Sequence, residues 1–66
     1  MNTIERLADD VSGIHETAED VLQIAHTTKH HNPDLGAALT SYSLLLKAQA
    51  VLADIMLEVL KEQKNQ

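Results

Sequence analysis

The stretch from Asn32 to Leu60 constrains this chain most, because a strong helix-start signal is followed by a long, mostly apolar run. Asn32 can cap free backbone N–H groups, and Pro33 brings a preset φ to a position where its missing N–H is not needed. No glycine or proline follows Gly36. We therefore predict one long helix that is apolar over most of its circumference and must be covered from more than one side.

The apolar residues of this second helix fall on two flanks. The broader flank comprises Leu35, Ala38, Leu39, Tyr42, Leu45, Leu46, Leu52, Ala53, Met56, Val59 and Leu60. The second flank comprises Leu44, Ala48, Val51 and Ile55. The polar remainder is a narrow strip made of Thr40, Ser43, Lys47, Asp54, Glu58 and Lys61. We expect one flank to pack against the first helix and the other to be covered by another chain.

The first segment of the chain carries a heptad pattern. Its apolar residues are spaced three and four apart, at Ile4, Leu7, Val11, Ile14, Ala18, Val21 and Ala25. This spacing is typical of a helix that packs along one seam against a neighbour. Ala8, His15 and Leu22 broaden the seam. Gly13 lies on the outer face, where it is either a weak point of the helix or a place where another helix approaches closely.

Local signals predict where the helices begin and end. Asn2 or Thr3 can cap the first helix, and Asn2 and Glu5 have the spacing of a capping box. Thr27 and Thr28 are poor helix formers, and the residue before Pro33 disfavours the α conformation. We predict that the first helix frays towards its end.

These signals predict an all-α, antiparallel two-helix hairpin in a single domain covering residues 1–66. Helix 1 spans residues 3–29, a turn covers 30–32, helix 2 spans 33–62, and residues 63–66 form a disordered tail. A short connection between two long helices makes them antiparallel neighbours. A chain of this length has little surface to bury by itself, so we expect two hairpins to dimerise into a four-helix bundle.

Composition and charge exclude several classes of protein. The chain has no cysteine, which excludes disulfides and thiolate metal sites and favours a cytoplasmic location. No signal peptide or membrane span is expected. The formal net charge is −5, and the five lysines and arginines form no basic stripe, so we expect no direct binding of nucleic acid. The acidic residues of helix 1 form either a solvated face or a docking surface for a basic protein partner.

Histidines are the only candidate metal ligands of note. His26 and His30 are four residues apart, with His31 adjacent, and two histidines at this spacing can bind zinc or nickel on one helix face. The alternative is that they are polar residues at a solvated helix end. His15 lies beside the apolar seam, where it can pair with Glu19 one turn on, either as an ordinary boundary residue or as a pH-sensitive group.

Helix 2 carries two polar side chains, those of Gln49 and Tyr42, within its broad apolar flank. Gln49 lies in the middle of the broad apolar flank, where a polar residue can fix register and oligomeric state; the alternative is a glutamine at the edge that reaches solvent. Tyr42 is expected to anchor the core of the bundle near its turn end; the alternative is a residue that stacks on a ligand. No phosphate-binding loop and no nucleophile with a nearby base is present, so we predict no enzymatic activity and no cofactor.

The pattern of two helices, a short turn and a heptad seam is similar in architecture to the Rop-type plasmid copy-number regulators, whose basic RNA-contacting face this chain lacks. The run Ala18, Leu22, Ala25 and Pro33 with the leucine-rich second helix resembles the central oligomerising hairpin of phage small terminase subunits. That resemblance implies a role in assembly.

The sequence thus predicts a small, non-enzymatic, homo-oligomeric interaction protein: an adaptor, inhibitor or regulator that acts by protein–protein contact. One alternative is a structural assembly hairpin of a larger machine, and another is a histidine-based metal-binding bundle. The residues predicted to form the oligomer interface are Tyr42, Leu45, Ala48, Gln49, Val51, Leu52, Ile55, Met56 and Val59.

Overall fold

The computed structural model describes residues 2–64, and the side chains of residues 2–63. Helix α1 spans Thr3–Thr28 and helix α2 spans Pro33–Lys64, with a tight turn at residues 29–32. The two helices run antiparallel, and the Cα atoms occupy 53 × 19 × 10 Å, which is one helix layer thick. The prediction of an all-helical hairpin is confirmed.

Both helices begin at the caps that the sequence predicts. The Asn2 side-chain oxygen accepts a hydrogen bond of 2.8 Å from the backbone N–H of Glu5. The Asn2 amide in turn donates to the Glu5 carboxylate at 3.4 Å, so the reciprocal bond of this capping box runs between side chains. At the start of α2, the Asn32 side-chain oxygen accepts from the backbone N–H of Leu35 at 3.1 Å. Each cap satisfies a backbone N–H that the first helical turn leaves free.

The end of α1 stays more regular than the sequence suggests. The helix continues through Thr27 and ends at Thr28, one residue before the predicted limit. The Thr27 hydroxyl donates to the Gln23 carbonyl at 3.3 Å, and the N–H groups of His31 and Asn32 both donate to the Thr28 carbonyl. In the last turn, the carbonyls of Ala25, Thr27 and Thr28 all accept backbone N–H groups from the turn, so the helix is regular as far as Thr28.

The predicted tail is also partly wrong. Gln63 and Lys64 belong to α2, which makes this helix 32 residues long. Glutamine and lysine have good helix propensity, and no residue there breaks the helix. Residues 65 and 66 lie outside the described part of the chain.

The residues of α2 that face α1 come partly from the broader predicted flank and partly from outside both predicted flanks. We call it the inner seam; its members are buried or half-buried and comprise Gly36, Leu39, Ser43, Leu46, Ala50, Ala53 and Leu57. Ser43 was expected on the exposed polar strip, but it is 3% exposed, and its hydroxyl donates to the Thr40 carbonyl at 2.8 Å. The steps of three and four residues keep the inner seam on one side of the helix.

The α1 side of this contact is partly as predicted. Val11, Ala18 and Ala25 are buried, but Leu7 and Ile14, which were expected on the same seam, are exposed. Ile4 and Val21 of the predicted seam are half-buried, as are Ala8, His15 and Leu22, which were predicted to broaden it. The core is consequently small: the buried apolar residues of the described chain are Val11, Ala18, Ala25, Ala50 and Leu57.

The two glycines have different surroundings. A Cβ atom on Gly36 would lie 2.7 Å from the Cα of Lys29, so the glycine allows the start of α2 to approach the end of α1. Gly13 has nothing within 4 Å of the corresponding position. Of the two interpretations of Gly13, the close approach of a second helix is not found in the hairpin.

Candidate interaction surface

Most large apolar side chains of α2 point away from α1. Among the described side chains, ten large hydrophobic residues of α2 are exposed, against three of α1. The most exposed are Leu44 and Leu45, at 63% each. Exposed apolar surface that is contiguous over a long stretch is unusual for a monomer and marks interaction sites.

The outward side of α2 carries two further heptad seams. The outer seam is exposed at every position and comprises Leu35, Ala38, Tyr42, Leu45, Gln49, Leu52, Met56 and Val59. The side seam is also exposed and comprises Leu44, Ala48, Val51 and Ile55. All nine residues predicted to form the oligomer interface belong to these two seams. Tyr42, which was expected to anchor the core, is therefore exposed in the hairpin.

One flat side of the hairpin is apolar. Tyr42, Gln49 and Met56 each precede an inner-seam residue by one position, so they lie on one edge of the contact between the helices. Leu7 and Ile14 of α1 flank the same edge, because they lie across the α1 seam from His15. The apolar flat side thus combines side chains from both helices. An apolar hollow of about 290 Å³ continues it, lined by Ile55, Met56, Val59, Leu60 and Gln63.

The opposite flat side is polar and holds a three-residue cluster. The Nε2–H of His15 donates to the Asp54 carboxylate at 2.8 Å, and the Lys47 ammonium donates to Nδ1 of His15 at 3.2 Å. This arrangement uses the neutral Nε2–H tautomer, in which Nδ1 is free to accept. The sequence suggested Glu19 as the partner of His15; the partner is instead Asp54, across the hairpin. Because spacing within one helix reports only local neighbours, it could not show this contact.

An open groove of about 440 Å³ lies beside this cluster. Its lining is mixed polar and apolar and comprises Ala8, Ser12, His15, Asp54, Ile55, Leu57, Glu58 and Lys61. In this lining, the Lys61 ammonium lies 3.8 Å from a carboxylate oxygen of Glu58, and both side chains are well exposed. Exposed pairs of this kind contribute little to stability. The hydrogen bonds of His15 to Asp54 and Lys47, by contrast, link α1 to α2.

The acidic side chains of α1 lie on its outer face and are all exposed: Glu5, Asp9, Asp10, Glu16, Glu19 and Asp20. The candidate metal ligands His26, His30 and His31 are exposed near the turn. Within residues 2–64, no group of three or more histidine, aspartate or glutamate side chains is placed to hold a metal ion.

Over the described residues, neither helix contains a stretch that is both long and apolar enough to cross a membrane. Comparisons with protein families, with curated proteins and with solved structures find no match for this chain.

Proposed function

We propose that this chain is a small, non-enzymatic interaction protein that works as a homo-oligomer, with a dimeric four-helix bundle as its basic unit. The observation that carries the proposal is the placement of apolar residues on α2. Small residues of the inner seam face α1, whereas the leucines, Tyr42 and Met56 of the outer seam face solvent. Two hairpins that stack their apolar flat sides would bring four helices around one core.

Surface area supports an interface of ordinary size. The hairpin has a solvent-accessible surface of 5004 Å² for a mass of 7.3 kDa. A compact monomer of this mass would expose about 4,200 Å² by the usual scaling of surface with mass. The difference, about 800 Å², equals the area that one partner contributes to a standard-size protein interface.

Energetics support association that is coupled to folding. Burying a leucine or isoleucine side chain contributes about 1.5–3 kcal/mol. Four or five such residues left in water would forfeit an amount comparable to the whole stability of a small domain, roughly 5 kcal/mol. The core within one hairpin holds mainly alanines and Val11, with Leu57 as its largest member. On this proposal the isolated hairpin is not stable and gains its stability by association.

Gln49 lies on the apolar flat side, where it would be part of the proposed interface. It is the only polar residue of the outer seam besides the Tyr42 hydroxyl, and it lies halfway along that seam. A polar residue in an otherwise apolar interface limits the registers that satisfy its hydrogen bonds. We infer that Gln49 helps to select one alignment of the two hairpins.

Sedimentation and thermal melting test the proposal. We expect the protein to sediment as an oligomer and its melting temperature to rise with protein concentration, because association stabilises only the folded state. Met56→Glu places a charge on the apolar flat side and should give a monomeric, largely unfolded chain. Glu16→Lys, on the exposed outer face of α1, is the matched control and should change neither property. A wild-type protein that is a folded monomer at micromolar concentration would refute the proposal.

A further inference from the structure

The side seam remains uncovered after two hairpins stack their apolar flat sides. Ala48 lies two residues before Ala50, which is 0% exposed, so the two side chains point to nearly opposite sides of α2. The side seam therefore lies on the edge of the hairpin that is farthest from α1. Leu44, Val51 and Ile55 of this seam are all substantially exposed.

We propose that the side seam pairs with the side seam of a second copy of this chain in antiparallel orientation, so that the assembly contains more than two chains. This inference rests on the proposed function and adds a second self-contact to it. An antiparallel pair of identical helices is related by a two-fold axis, and each copy then presents the same surface to the other.

The apolar residues of the side seam complement one another in this orientation. The antiparallel register that aligns the seam on itself places Leu44 opposite Ile55 of the second copy. It also places Ala48 opposite Val51 of the second copy, so that each small residue meets a larger one. Each contact occurs twice, which gives four apolar layers of the kind found in coiled coils.

The residues that flank the side seam fit the same register. Lys47 lies opposite Asp54 of the second copy, and Asp54 opposite its Lys47, which gives two pairs of opposite charge. Within the hairpin each of these exposed side chains bonds to His15, and the ammonium and the carboxylate each keep capacity for a further hydrogen bond. On the other flank, Leu45 meets Leu52 of the second copy. Parallel pairing would instead set Lys47 beside an apolar Leu52, so charge complementarity favours the antiparallel arrangement.

Polar residues limit the length of this contact. The next positions in the heptad spacing are Ser41 at one end and Glu58 at the other, and both are exposed. The contact is therefore only four layers long. Because so short a helix pair is marginal in isolation, we infer that it forms between hairpins already held in four-helix bundles, where two such contacts can act together.

Cysteine cross-linking tests the register directly, since the chain has no cysteine of its own. Leu44→Cys and Ile55→Cys chains, carrying tags of different size, are oxidised separately and as a mixture. A disulfide between the two variants is expected in the mixture. Each variant alone should give almost none, because like residues lie about 16 Å apart along the helix axis in this register. Disulfides within each variant alone would indicate parallel pairing and overturn the proposal.

Molar mass separates this inference from the proposed function. The wild-type protein should have a mass above that of two chains, and Val51→Lys should reduce it to two chains that remain helical. A wild-type mass of two chains, with no disulfide in the mixture, would overturn the side-seam contact and leave the four-helix bundle intact. A folded wild-type monomer would overturn both.

Discussion

The side of α2 that faces α1 carries mostly small side chains, whereas the side that faces away carries large ones. Towards α1, three of the four positions that repeat every seventh residue are Gly36, Ser43 and Ala50. Away from α1, the residues with the same repeat include Leu45 and Leu52, both more than half exposed. Small residues allow two helix backbones to come close together, where many weak dispersion contacts replace the burial of large side chains. The contact within the hairpin is therefore made mainly by small residues, and the larger hydrophobic side chains of α2 stay exposed to solvent in the hairpin.

The largest expected effect of a substitution within the hairpin is at the one large buried side chain. Leu57→Ala should lower the free energy of unfolding by about 2–5 kcal/mol, because it removes transfer energy and leaves a cavity. Ile24→Ala is the matched control, since Ile24 is 55% exposed on α1 and lies on none of the seams, and it should cost less at the same protein concentration. Chemical denaturation of both variants provides the measurement. An equal or larger loss for Ile24→Ala would mean that the inner seam does not control hairpin stability.

The second effect concerns the requirement for small residues. Gly36→Ala should destabilise the protein by about 1–3 kcal/mol, because the new Cβ meets the backbone of Lys29. Gly13→Ala should stabilise it by up to about 1 kcal/mol, since alanine favours the helix and the site is open. Melting temperatures of the two variants should therefore move in opposite directions. If both rise, the helices can separate at the turn without loss, and close fit there is unimportant.

A smaller effect is expected at the polar edge of the inner seam. Asp54→Ala removes the 2.8 Å hydrogen bond to His15 that links the two helices, and should cost about 0.5–1.5 kcal/mol. Glu58→Ala removes only a weak surface pair on the same helix and should stay within about 0.5 kcal/mol. Equal losses in the two variants, compared by thermal melting, would show that the cluster does not hold α2 in its orientation.

The outer face of α1 differs from α2 in being acidic and solvated, and there we expect no measurable binding of nucleic acid. The isolated protein should show no salt-sensitive binding to duplex DNA or RNA at micromolar concentration, because it presents no basic stripe to phosphates. Electrophoretic mobility shifts at low and high salt provide the measurement. Binding that weakens steeply with salt would contradict this expectation.

Features encoded by neighbouring residues could be predicted from the sequence. The caps at Asn2 and Asn32 and the start of α2 at Pro33 follow from hydrogen-bonding groups within a single helical turn. The predicted seam of α1 is buried at Val11, Ala18 and Ala25, whereas Leu7 and Ile14, which satisfy the same heptad spacing, are exposed. The end of α2 was predicted less well: Gln63 belongs to the helix and not to a tail, because glutamine and lysine favour the helix and no residue there breaks it.

The face that α2 turns towards α1 could not be predicted. Three heptad seams on one helix all satisfy the same spacing rule, and a rule based on hydrophobicity does not favour the inner seam, which contains Gly36 and Ser43. What distinguishes the inner seam is close packing at Gly36 and the contact between His15 and Asp54. Both depend on residues far apart in sequence, so no pattern within one helix reports them.

Tyr42 offers a practical consequence of its position. It is the only aromatic residue among tyrosine, tryptophan and phenylalanine in the chain, and half of its surface is exposed on the outer seam. The near-ultraviolet absorbance and fluorescence of this protein therefore arise from a single ring. The proposed association would bury this phenol between hairpins and change its surroundings, so the signal of the unlabelled protein tests that association at a defined point near the turn.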